Sequence, residues 1–155
     1  MTLSSWRIVK RKHASDAFSG EGARIFGGRW NSPGLPVVYT AENASLAILE
    51  ILAHLATAPL LPHYVMVLIK FDEDLVVIIE EDELPYEWRA HPESMELKAI
   101  GDRWAGEVNS VVLSVPNAIV PVERNYLLNP RHSDFSEIEI GDPLPFSIDP
   151  RLAKT

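Results

Sequence analysis

Twelve prolines and eight glycines are scattered along these 155 residues and cut the chain into short segments. Proline removes a backbone donor and glycine weakens the interior of any regular element, so both collect at turns. The pieces between them read as follows. Residues 6–10 form an opening strand, and residues 15–34 a glycine-rich loop holding Gly20, Gly22, Gly27, Gly28 and Gly34. Residues 35–40 form a strand, and Asn43 caps a helix running to about residue 56, stopped by Pro59. That helix is apolar almost all round, which predicts that it is largely buried. Residues 64–71 and 75–79 are β-branched runs joined by Asp72-Glu73-Asp74, the pattern of a hairpin. Pro92 opens a second helix to about residue 105, with Met95, Leu97, Ile100 and Trp104 as its buried side. Residues 110–115, 118–122, 126–128 and 138–140 complete the strands. Strands outnumber helices by about three to one, which predicts an α/β chain of the α+β kind. Mostly antiparallel sheets should carry two helices, and a doubly wound parallel sheet is disfavoured.

One domain is expected over residues 1–155, since a chain of this length buries roughly two-thirds of its unfolded surface in a single core. The absence of cysteine excludes disulfides and thiolate metal sites. Nothing near residue 1 resembles a secretory segment, and the apolar run at residues 46–55, broken by Glu50 and His54, is far short of the roughly 20 residues that cross a bilayer. The expected location is the cytoplasm, with no membrane partner. A net charge of −8 opposes direct contact with nucleic acid. Arg7, Lys10, Arg11, Lys12, Arg24 and Arg29 nevertheless crowd into the first thirty positions, the pattern of an anion site on an acidic protein.

Glu50 is the most informative residue, because a carboxylate inside an apolar helix is costly unless it is paired. Two readings stay open: a narrow solvent stripe shared with His54 four residues on, or a functional carboxylate. Phe26-Gly27-Gly28-Arg29-Trp30-Asn31 places a guanidinium, the natural fork for a phosphate, beside glycines that permit close approach to a ligand. The same stretch also fits a structural turn, with Arg29 paired to a carboxylate and Trp30 in the core. It is neither a P-loop nor a dinucleotide-fold fingerprint. Tyr39 ends the next strand, so Arg29, Tyr39 and Glu50 could share one pocket. The histidines at 13, 54, 63, 91 and 132 lack ligand spacing, so no metal is expected. Arg131-His132-Ser133-Asp134 reads as a capped turn, and a nucleophile elbow is missing.

Ser19-Gly20-Glu21-Gly22-Ala23-Arg24, Gly27-Gly28-Arg29-Trp30-Asn31, Val38-Tyr39, Leu46-Ala47 and Glu50 together resemble the RES domain family, toxins of RES–Xre toxin–antitoxin pairs. Val115-Pro116, Asn125-Tyr126-Leu127-Leu128-Asn129-Pro130-x-His132 and Asp149-Pro150-Arg151-Leu152 extend the likeness over nearly the whole chain. The resemblance implies an ADP-ribosyltransferase-like fold with a split sheet, and depletion of NAD by cleavage of the nicotinamide–ribose bond. It implies NAD as substrate with no cofactor, and an Xre-type helix-turn-helix antitoxin as partner; whether two copies pair as a homodimer stays open. By motif it assigns the family's polar arginine, tyrosine and glutamate to Arg29, Tyr39 and Glu50, and an early arginine to Arg7. Where the family has serine after Val-Pro this chain has Asn117, so either Asn117 supplies that hydrogen bond or Ser114 does.

These residue types suit the chemistry. Loss of nicotinamide generates an oxocarbenium-like ribosyl cation, which an ionised carboxylate at Glu50 would stabilise. Arg29, with Arg7 or Arg24, would clamp the pyrophosphate beside Gly28, and Tyr39 or Trp30 would stack on the nicotinamide. The acceptor stays open between water, phosphate and a protein. The alternatives are a mono-ADP-ribosyltransferase acting on a protein target and a catalytically inactive module that binds a nucleotide or a partner.

Overall fold

Residues 1–54 and 63–152 are described by a computed structural model of the chain. Eight short strands build its framework: β1 (Thr2–Lys10), β2 (Val38–Ala41), β3 (Tyr64–Asp72), β4 (Val76–Ile78), β5 (Val112–Pro116), β6 (Arg124–Leu128), β7 (Glu139–Ile140) and β8 (Leu144–Phe146). They form one sheet in the order β4-β5-β6-β2-β1-β3-β7, with β8 also paired to β3. Every pairing is antiparallel except β4 with β5, as the punctuation of the sequence predicts.

The sheet is split. β1 follows β3 from Thr2 opposite Asp72 to Lys10 opposite Tyr64, and β2 follows β6 along its whole length, yet β1 meets β2 at one pair, Trp6 with Ala41. Two half-sheets therefore hang on a single rung. Side chains alternate between two faces along each strand. On one face Tyr39, Leu113, Val115 and Leu127 pack with Trp30, Trp88, Leu97 and Trp104. On the other, Val38, Val112 and Leu128 pack with Ile69, Phe71 and Ile138.

Three α-helices attach to this frame: α1 (Glu21–Phe26), α2 (Ala44–His54) and α3 (Met95–Glu107). Asn43 caps α2 as expected, its Oδ1 accepting from the Leu46 N–H at 2.7 Å. Burial of α2 is narrower than its composition predicts: Leu46 and Ala47 pack against Ala41 and Ile8, while Leu49 stays 43% exposed. Its expected end near residue 56 lies outside the described residues. α3 begins later than Pro92, because Ser94 supplies the cap by accepting from the Leu97 N–H at 3.2 Å. Leu97, Gly101, Trp104 and Ala105 set its buried stripe; Met95, two residues out of phase, is 86% exposed. Gly101 lies so close to Trp30 that an added Cβ would fall 1.7 Å from its carbonyl oxygen.

Several local expectations are corrected. The glycine-rich loop is structured, with a 3-10 turn at Arg11–Asp16 and then α1. Wholly buried Asn31 ties it together by donating from Nδ2 to the carbonyls of Ala23, Ser32 and Leu35. β3 and β4 do not form a hairpin. Both edges of β3 are already taken, by β1 and by β7 and β8, so the 3-10 turn Glu73–Leu75 sends β4 to the far edge, parallel to β5. Residues 118–122 are a turn instead of a strand, because Asn117 Oδ1 accepts from the N–H groups of both Ile119 and Val120 at 2.8 Å. β8, which follows Pro143 and has Pro145 at its centre, carries no strand signal, since prolines interrupt it. Among the described residues no helix is long and apolar enough to cross a membrane.

Candidate active site

The site grows from the split. Beyond Trp6 and Ala41 the strands part, and the Arg7 guanidinium bridges the gap: Nε donates to the Ala17 carbonyl at 2.7 Å and Nη1 to the Tyr39 carbonyl at 2.9 Å. Burial lowers the Arg7 pKa to about 10, opposed by Asp16. Strand alternation puts Arg7 with Ser5 and Thr40, on the face opposite the Tyr39 ring; a hydrogen bond of 2.8 Å from Thr40 Oγ1 to Ser5 Oγ marks that face.

On the Tyr39 face, Gly28 presses against the phenol; a Cβ there would lie 2.6 Å from the hydroxyl oxygen. This contact requires glycine. The hydroxyl donates to Asn31 Oδ1 at 2.5 Å and accepts from the Trp30 N–H at 3.1 Å. Burial pushes its pKa well above the ordinary phenol value, so it stays protonated and serves as a fixed donor. Lys98 of α3 secures the same turn by donating from Nζ to the Gly28 carbonyl at 2.6 Å.

Arg29 leaves this turn with its side chain 20% exposed. Its Nη1 donates to the carbonyls of Trp88 at 3.2 Å and Ala90 at 3.0 Å. Nη2 stands 3.9 Å from Glu93 Oε1, too far for a hydrogen bond, and Nε has no acceptor among the described residues. The Nε–Nη2 edge, the fork that grips an oxyanion bidentately, thus carries no hydrogen bond and meets only the Glu93 carboxylate, as an ion pair. Burial works to raise the Glu93 carboxyl, but its own backbone N–H, Arg29, Lys98 and His91 together hold it below the usual carboxylate value.

Glu50 lies three and four residues beyond Ala47 and Leu46, on the sheet-facing stripe of α2. The solvent-stripe reading is therefore set aside for Glu50, although His54 is exposed. Glu50 Oε1 accepts from Asn125 Nδ2 at 3.0 Å, and Oε2 accepts from no described residue. Burial raises its pKa above the ordinary value, while the Asn125 donor and the charge of Arg29 pull it back. The charge of Arg29 thus acts on Glu50.

The other sequence candidates are placed elsewhere. Trp30 is 2% exposed in the tryptophan cluster, which leaves its ring no face for a ligand. Arg24 is paired with Glu21 on the surface of α1. Ser114 Oγ accepts from Arg124 Nε at 2.9 Å, and its register opposite Tyr126 puts it on the far face of the sheet from Asn125. Asn117 stands behind Asn125, donating from Nδ2 to Asn125 Oδ1 at 2.8 Å. Sequence reasoning passed over Asn125, Lys98 and Glu93. Asn125 could have been found: it alternates with Leu127 on an inward face, a polar residue where an apolar one is expected. Among the described residues no group of His, Asp and Glu is placed to hold a metal ion.

Residues 4–149 match the RES domain. The chain is 40% identical over 150 residues to Toxin Res of Photorhabdus laumondii subsp. laumondii, with 96% of each chain covered. It is 36% identical over 159 residues to the Prs ADP-ribosylating toxin of Sphingobium sp., with 99% of each covered. A shorter stretch of 37 residues is 57% identical to the NAD(+) phosphorylase MbcT of Mycobacterium tuberculosis, covering 23% of this chain and 20% of that one.

Proposed function

This chain belongs to the RES domain family, and on that premise we propose that it is the toxin of a toxin–antitoxin pair, an enzyme that holds NAD between Arg29 and Glu50 and breaks the nicotinamide–ribose bond. The observation that carries this is an Arg29 Nε–Nη2 edge free of hydrogen bonds, whose charge acts on a partly buried Glu50 carboxylate with Oε2 unengaged. The pyrophosphate takes the guanidinium fork at the turn that Gly28 and Tyr39 hold. The ribose then lies against Glu50, with Tyr39 beside it.

As the bond from ribose to the pyridine nitrogen breaks, its electron pair moves onto the ring and cancels the pyridinium charge. Nicotinamide leaves neutral, so no proton has to be supplied to it. Positive charge grows on the ribose, where an ionised Glu50 at low local dielectric stabilises it. Water captures the cation with loss of a proton and gives ADP-ribose; phosphate gives the ribosyl phosphate. No bound cofactor enters. The toxin works in the cytoplasm and is silenced by a cognate Xre-type helix-turn-helix antitoxin.

The test is to incubate the purified chain, free of antitoxin, with NAD in phosphate and in phosphate-free buffer and to follow nicotinamide by chromatography. Release in both buffers, with different ribosyl products, supports cleavage to small acceptors. NAD returned intact in both overturns the proposal. The full-length likeness to an ADP-ribosylating toxin favours a second reading, transfer of ADP-ribose to a protein. Nicotinamide release that requires cell extract, with an ADP-ribose adduct on one protein by mass spectrometry, would select it.

A further inference from the structure

We propose that Asn117 and Asn125 form a two-amide relay that fixes which atom faces Glu50, making both positioning residues for the cleavage proposed above, on which this inference rests. An asparagine amide is nearly symmetrical in shape but not in chemistry, since one end donates and the other accepts. Here both ends are decided by groups that cannot change roles. The backbone N–H groups of Ile119 and Val120 donate to Asn117 Oδ1, each at 2.8 Å, which turns Asn117 Nδ2 towards Asn125 Oδ1 at 2.8 Å. That contact turns Asn125 Nδ2 the other way, onto the Thr40 carbonyl at 3.1 Å and Glu50 Oε1 at 3.0 Å. The carbonyl can only accept. Asn125 is therefore locked from two directions, and a donor always faces the carboxylate.

The direction matters because an ionised carboxylate is acceptor-only, so a locked donor favours the charged form against burial. Asn117 and Asn125 are 2% and 7% exposed, which leaves little access for water to take over a lost bond. The charged group that acts on Glu50 across the site is Arg29. The relay also ties the carboxylate to the β5–β6 turn, where the Asn117 N–H donates to the Glu123 carbonyl at 2.9 Å. Asn117 thus acts on Glu50 through Asn125 without touching it.

Asn117→Asp separates a relay from a simple turn cap. It keeps the size and the oxygen that accepts from Ile119 and Val120, but sets a second acceptor against Asn125 Oδ1. Two readouts are taken on protein shown to be folded by circular dichroism: the titration of Glu50 by carbon-13 NMR of its carboxyl, and kcat and KM for NAD across pH. In the variant the Glu50 midpoint should rise by about one pH unit or more. The kcat below the shifted midpoint should fall by up to about tenfold for each unit of that rise, with KM within about threefold, and should recover as pH is raised. A folded variant with wild-type titration and wild-type kcat would leave Asn117 as a turn cap and overturn the relay. Should Asn117→Asp fail to fold, Asn125→Ser, whose hydroxyl is too short to bridge to Glu50, is read on the same two axes with the same expectations. If the wild-type chain releases no nicotinamide, the NAD reading fails while the titration still decides the relay.

Discussion

Gly101 and Gly106, both in α3, should answer the same substitution with opposite signs. Alanine in place of a helical glycine ordinarily gains about 1 kcal/mol. At Gly106 an added Cβ meets nothing within 4 Å, so Gly106→Ala should stabilise by about 0.4–1 kcal/mol and raise Tm by roughly 1–4 °C. At Gly101 the same atom would lie 1.7 Å from the Trp30 carbonyl oxygen and 2.8 Å from its carbon, where ordinary contact begins near 3.4 Å. Helix and turn must then part by roughly 1.7 Å. Neither gives way easily, because the obstacle is backbone and α3 is anchored by Leu97, Trp104 and Ala105 in the core. Overpacking of this kind costs about 3 kcal/mol or more. After the helical gain a net loss of about 2 kcal/mol remains, a fall in Tm of roughly 4–8 °C. The displacement also falls on the residue next to Arg29, so NAD turnover should drop in Gly101→Ala and hold in Gly106→Ala. Thermal unfolding followed by circular dichroism, with nicotinamide release on the same samples, checks both. Gly101→Ala melting at or above the wild type would refute the seating of α3 on Trp30.

Glu50→Gln should abolish most nicotinamide release, on the order of 10²–10³ in kcat, yet be more stable than wild type at neutral pH. Because the folded pKa of Glu50 is raised, the native state binds the extra proton between the ordinary carboxylate value and the raised one. Wild-type stability therefore falls as pH rises through that window, and the penalty vanishes below it. Melting curves of both proteins should converge towards acid pH; a constant gap would refute this. For the same reason kcat should decline as pH falls through the raised value, which a pH–rate profile reads directly. Tyr39→Phe keeps the ring but leaves the Trp30 N–H and Asn31 Oδ1 unpaired, a loss of about 1–3 kcal/mol that should lower Tm by roughly 2–12 °C. Ser114→Ala should lower Tm through Arg124 and keep kcat within about twofold; a large kcat loss at unchanged Tm would return Ser114 to the site.

The sequence reading was strongest where side chains alternate or cap. β3 and β6 follow their apolar runs, and Asn43 starts α2 because one oxygen meets one orphan N–H. It was weakest where partners are distant. The strand expected at residues 75–79 forms at Val76–Ile78, but pairing is a property of the whole sheet, and the saturation of both edges of β3 cannot be seen from Asp72-Glu73-Asp74. Residues 118–122 look like a strand by composition and fold as a turn because a neighbouring amide claims their N–H groups. Arg29 and Glu50 were legible as anomalies, a guanidinium after two glycines and a charge in an apolar helix. Of their partners only Asn125 left a trace, a polar residue in an apolar alternation; Lys98 and Glu93 are ordinary in type, and the three are brought in from 64 to 75 positions away, Glu93 counted from Arg29, Lys98 from Gly28 and Asn125 from Glu50.

The hold on Arg29 comes from carbonyl oxygens, which every amino acid supplies. Ala90 is exposed, so its side chain is free to drift over generations without loosening the guanidinium, and comparing relatives at that column would reveal no constraint. What the anchor does demand is the path of the chain. Inserting or deleting one residue between Trp88 and Glu93 should therefore disarm the toxin far more thoroughly than replacing Ala90 with almost anything else.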